Sequence, residues 1–184
     1  MKHLFFALFI SLSLVGEAQK NEPISYTEVV TIDSVSKDEL YIRARNWVND
    51  AFRSAKDVIQ ISDKETGELA GKGLLYARGE LKWLATYPFK GMINFSFKIL
   101  LKDGKYKYEF SDFNNTDCDF GHPGAQDFKF GLITTSNTAS AKYWGYSQKK
   151  MDDALISMKA SMGEKVKDMI ASLKESMNKK PEDF

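Results

Sequence analysis

Between Ile93 and Phe110 the chain alternates apolar and polar residues about a single turn, and nothing else in the sequence restricts the fold so strongly. Ile93, Phe95, Phe97, Ile99 and Leu101 fall on one side, interleaved with Asn94, Ser96, Lys98 and Leu100. A period of two is the signature of a half-buried strand. Asp103-Gly104 is a favoured two-residue hairpin turn of type I′. With the turn placed there, Leu101 pairs with Tyr106, Ile99 with Tyr108 and Phe97 with Phe110. The same register sets Lys98 opposite Glu109, an opposite-charge pair on the polar face. One register satisfies both faces, and a slip by one residue would turn the whole aromatic set into water.

A core of this kind needs apolar mass, and the composition supplies it. Of 184 residues 43% are hydrophobic, among them 13 Phe, 8 Tyr and 3 Trp, enough to offset the entropy of ordering one domain. Lysine and arginine number 26 against 25 acidic residues. That balance lacks the basic footprint of a nucleic-acid binder, so no nucleic-acid partner is expected. Cys118 is the single cysteine, which excludes an intrachain disulfide and a four-cysteine zinc site.

Lys2 and His3 precede an uncharged run, Leu4–Val15, and then Gly16-Glu17-Ala18. The run is too short for a membrane span, which takes about 20 residues, and it has the form of a signal peptide ending at residue 18. No cysteine follows it, so no lipid anchor is expected, and no later stretch could span a bilayer. The mature chain from Gln19 is expected to be exported, periplasmic or secreted.

Tyr26–Ile32 is β-branched and reads as a strand. Ser36 and Glu39 form a capping box before Leu40, Ala44, Trp47, Val48, Ala51 and Phe52, an apolar stripe at helical spacing with Arg43, Arg45, Asn49 and Asp50 on the other side. Asp57–Asp63 and Leu69–Ala77 read as strands joined by the DKETG turn, with Gly71 and Gly73 marking a bulge or a close backbone approach. Gly79–Gly91 reads as a connection. Residues 115–141 read as a long loop holding a short strand within Asp127–Thr134. Met151, Leu155, Met158, Met162, Val166, Met169, Leu173 and Met177 then mark one face of a long helix. The expected organisation is a signal peptide at 1–18, a β-α-β4 core at 19–114, the loop at 115–141 and a C-terminal helical segment at 142–184. The fold class is α+β: a two-layer antiparallel sheet of about five strands, in the order β-α-β-β-β-β-α, with both helices on one face.

The runs YTEVVTIDSVSKDELYIRARNWVNDAF, DVIQISDKETGELAGKG and INFSFKILLKDGKYKYEFSDF resemble the domain-of-unknown-function family numbered 4468. The likeness covers roughly Tyr26–Phe113. It implies an exported protein of Bacteroidetes with a fold like that of the TATA-binding protein, and it brings neither an activity nor functional residues.

Five groups of residues invite a chemical reading. Cys118 and His122 could form a thiolate pair or a plain turn. Asp112, Asn114, Thr116, Asp117 and Asp119 could ligate calcium, although the EF-hand positions for glycine and glutamate hold Asp117 and Pro123; the alternative is a solvated acidic turn. The methionine stripe could line an apolar cavity or be the seam on the sheet. Lys90, Lys98, Lys102, Lys105 and Lys107 exceed their local acids and could attract an anion or simply protect a strand face. Trp83, Tyr87 and Phe89 could form a stacking lip for a sugar or peptide, or cap the core. Taken together, these readings point to a non-catalytic binding or interaction module, not an enzyme, with no cofactor and no metal. The residues singled out for a ligand are Trp83, Tyr87, Lys98 and Lys107. The alternative is a carrier of an apolar ligand between sheet and last helix.

Overall fold

The computed structural model describes residues 21–52, 54–82, 84–121, 128–143 and 145–179; the expected signal peptide lies outside them. In chain order the elements are β1 (Tyr26–Thr31), α1 (Lys37–Ala51), the one-turn α2 (Ala55–Val58), β2 (Ile59–Asp63), β3 (Glu68–Lys82), β4 (Thr86–Lys102), β5 (Lys105–Asp119), β6 (Gly131–Leu132) and α3 (Gln148–Asn178). The strands make one antiparallel sheet in the order β1-β5-β4-β3-β2, with β6 beside β5 beyond the end of β1. This is the α+β architecture expected: β6 falls within Asp127–Thr134, where a short strand was expected, and α2 adds one helical turn.

β4 and β5 pair in the expected register: Phe97 with Phe110, Ile99 with Tyr108, Leu101 with Tyr106 and Lys98 with Glu109. Two details differ. Type I′ needs positive φ at both central residues, whereas Gly104 has φ +73° and Asp103 is not in that region. The turn is shaped by what packs on it. The Asp103 carboxylate accepts a hydrogen bond from Lys37 N at 2.7 Å, Gly104 N donates to Val35 O, and Ile32 N donates to Gly104 O. The Lys98 ammonium pairs with Glu68 of β3 at 2.9 Å, not with Glu109, which lies 3.9 Å from Lys107.

Ser36 caps α1 by accepting a hydrogen bond from Glu39 N. Glu39 does not complete the capping box, because its carboxylate pairs with Arg43 at 2.8 Å. Arg43 was expected in water but is 9% exposed, since α3 lies beside α1 and the Met177 carbonyl accepts from Arg43 Nη1 at 2.7 Å. Ala51, expected on the stripe, is exposed, and Tyr41 is buried in its place.

The segment read as a connection, Gly79–Gly91, is mostly strand, with Glu80 opposite Pro88. The N–H groups of Arg78 and Glu80 point away from β4, onto Ser161 Oγ and Ser157 Oγ of α3, both at 2.9 Å. The opposite residues, Lys90 and Pro88, therefore belong to pairs whose backbone groups turn away from β3. On their other side, β5 pairs no further along β4 than Lys90, so the missing proline donor leaves no strand acceptor unmatched. The two serines, four residues apart, rise about 6 Å along the helix, close to two residues of strand. They close an edge of β3 that β2, paired only with Glu68–Gly71, does not reach.

On the inner face Trp47 of α1 meets Phe52, Phe97 and Phe110 edge-on, with centroids 5.9–6.3 Å apart. Of the α3 stripe all but Met169 are buried. A Cβ on Gly91 would come within 2.5 Å of Met158 Sδ, so the helix rests on the strand backbone and the seam is filled there. Gly71 combines both expectations for it: the Val58 carbonyl and the Phe97 ring leave no room for a side chain, and the β2 register shifts opposite it.

Candidate functional site

The long helices α1 and α3 pack on one face of the sheet, and among the described residues no helix covers the other. That outer face is bent by irregularities in β5. Ser96 faces Ser111 and Asn94 faces Asn114, so Asp112 and Phe113 together oppose Phe95, a β-bulge. Asp112 has φ +56°, a left-handed conformation that short polar side chains tolerate. A second shift follows, since Ile93 faces Asn115 and Met92 faces Asp117.

Around the first bulge lies a depression of about 650 Å³ walled by Lys72, Asn94, Ser96, Asp112, Asn114 and Leu132. Among the described residues none of these five polar side chains makes a hydrogen bond or ion pair to the protein. Two amides, a hydroxyl, a carboxylate and an ammonium thus present donors and acceptors together on one surface. Exposed Leu74 and Leu132 flank them.

Behind the bulges, fully buried Asn115 fixes this geometry. Its Nδ2 donates to Met92 O and Asp117 O, at 3.0 and 2.8 Å, and its Oδ1 accepts from Phe130 N at 2.8 Å and from Cys118 Sγ at 3.2 Å. Burial pushes the Cys118 thiol up to about 12, which keeps it protonated at neutral pH. The proposed partner His122 lies outside the described residues. Asp112, Asn114, Thr116, Asp117 and Asp119 lie along a strand, not in the acidic turn expected. Among the described residues no three His, Cys, Asp or Glu are placed to hold a metal ion.

The residues singled out from sequence are not brought together. Lys98 and Lys107 do lie on the outer face, at the hairpin end, each beside a carboxylate. Tyr87 is 39% exposed at the opposite end of β4, close enough to Tyr146 to act on its hydroxyl, which burial chiefly pushes up. Phe89 is buried against Phe120 and Phe128 and caps the core. Trp83 lies outside the described residues. Asn94, Ser96 and Asn114 were missed as a group. The available signal was the break in alternation after Phe110, where the next inward aromatic is Phe113, three residues on instead of two.

Residues 26–116 match a family model described as a domain of unknown function (DUF4468) with TBP-like fold. A crystal structure of a DUF4468 family protein from Bacteroides ovatus is similar, with a TM-score of 0.58 and 14% identity over 88% of this chain and 90% of that one. A TBP-like protein from Parabacteroides distasonis gives a TM-score of 0.51 and 15% identity over 84% of this chain and 95% of that one. At these identities the likeness establishes the fold. No curated protein matches.

Proposed function

Since the chain belongs, through residues 26–116, to the DUF4468 family with its TBP-like fold, we propose that it is an exported, non-catalytic binding module that takes its ligand or partner on the uncovered sheet face. The carrying observation is the bulge depression, where five polar side chains have no partner among the described residues. Such groups are what orient a polar ligand once contact excludes water. A non-catalytic reading is supported by the protonated, enclosed Cys118 thiol. Export rests on the charged start, the short apolar run and Gly16–Ala18. No described helix is long and apolar enough to cross a membrane. The near-balanced charge disfavours nucleic acid as the partner.

Titrating ¹⁵N-labelled protein with neutral oligosaccharides, acidic oligosaccharides and short peptides tests this. One class should move the amides of Asn94, Ser96, Asp112 and Asn114. The Asn94→Ala/Asn114→Ala variant should fold, since both side chains are exposed, and should lose the response. Shifts confined to Met158 and Met162, with an apolar probe, would replace this reading by the carrier.

A further inference from the structure

At the end of the outer face away from the hairpin, two cations stand side by side. There Arg78 of β3 lies directly opposite Lys90 of β4. Because the Arg78 N–H turns away to Ser161 Oγ, the two form the closer kind of antiparallel pair, with Cα atoms about 4.5 Å apart. Like charges placed so repel each other. Among the described residues neither cation has a carboxylate at ion-pair distance. Lys90 Nζ rests instead 3.8 Å from the centroid of the Tyr76 ring. Of the nearby acids, Asp119 lies opposite Lys90 on β5 but makes no ion pair with it, its Oδ1 accepting from Gly121 N at 2.7 Å, and Glu80 lies 3.9 Å from Lys82. Lys102 and Lys105 also face each other, but they flank the hairpin turn, exposed to water. Arg78 and Lys90 line a groove of about 410 Å³ walled also by Tyr76, Pro88, Asp119 and Phe120. A like-charge pair inside a concave site is a local breach of the pairing rule, and such breaches gather at functional sites.

We propose that this groove binds an oxyanion, the carboxylate or phosphate group of a small ligand. The Arg78 guanidinium offers the planar fork that grips two oxygens, and Lys90, held over Tyr76, supplies a second charge. Pro88 and Phe120 offer an apolar wall to the ligand body. The inference stands on the cation pair and survives a failure at the bulge depression, because the two sites report through different amides.

The full chain is melted and followed by ¹⁵N NMR in inorganic phosphate, in glucuronate and in glucose, with sodium chloride matching ionic strength. The anions should shift the amides of Tyr76, Arg78, Phe89 and Lys90 and raise the melting temperature above the chloride control, as ligands of the folded state do; glucose should do neither. A response to phosphate alone assigns a phosphate ligand, and a stronger response to glucuronate assigns a carboxylate. Arg78→Gln should weaken the response about tenfold or more, while the unliganded variant melts no lower than the parent because a repulsion has gone. Anion effects equalled by chloride, or undiminished in Arg78→Gln, would overturn the proposal, and so would a lower melting temperature of the unliganded variant.

Discussion

Two aromatic clusters sit at opposite ends of β4, and they are built in different ways. At the hairpin end, Phe97 and Phe110 come from alternating strand positions and Trp47 from a helical stripe. At the far end, Phe89 meets Phe120, Phe128 and Phe130 at 5.3–6.4 Å, and Phe128 meets Tyr143 at 5.3 Å. Apart from Phe89, these rings come from segments without period, and single polar contacts hold them. Asn115 Oδ1 accepts from Phe130 N, Ser140 Oγ donates to Phe130 O, and Asp152 Oδ1 accepts from Ala139 N. The comparison teaches that the first cluster is specified by repetition and fails when apolar mass is removed. The second is specified by individual hydrogen bonds and fails when one of them is removed.

The largest effect should come from the periodic end. Phe97→Ala removes a buried ring shared by Trp47 and Phe52, and denaturant unfolding should show a loss of about 3–5 kcal/mol. A loss below that of an exposed-site variant would mean that the two ends are not distinguished by packing. Asn115→Ala should cost about 1–3 kcal/mol by orphaning buried backbone groups. It should also expose Cys118 to thiol reagents in advance of global unfolding, whereas Phe97→Ala should not. Equal acceleration of thiol labelling in both variants would break the comparison. Smallest of all, Lys98→Ala should leave the unfolding midpoint almost unmoved, because the Lys98–Glu68 pair is open to water. A shift approaching that of Asn115→Ala would show that charge on the outer face also holds the sheet.

These differences track what could be seen in advance. The hairpin register was legible because each of its residues repeats the same statement about which side is buried. The bulge that forms the candidate site was not, because Asp112 enters the left-handed region only in answer to β4, and Asn115 is an unremarkable polar residue until Met92, Cys118 and Phe130 surround it. Lys98 and Lys107 were visible as an excess of charge, but their carboxylate neighbours depend on register and rotamer, and Glu68 lies on another strand. The like-charged Arg78–Lys90 pair was hidden because Pro88 made its strand look like a connection.

By itself the sequence determined the β4–β5 register, the start of α1 at Ser36 and the buried stripe of α3, since periods of two and of 3.6 need only near neighbours to be expressed. Only the tertiary structure decided the form of the Asp103-Gly104 turn, the burial of Arg43, the place of Pro88 inside a strand and the exposed polar group at the bulge. Each of those answers to a partner far along the chain: Lys37 for the turn, Met177 for Arg43, the α3 serines for β3 and thus Pro88, and β4 for Asp112. A local pattern cannot name such partners, because their proximity exists only after the sheet has closed and α3 has settled across it.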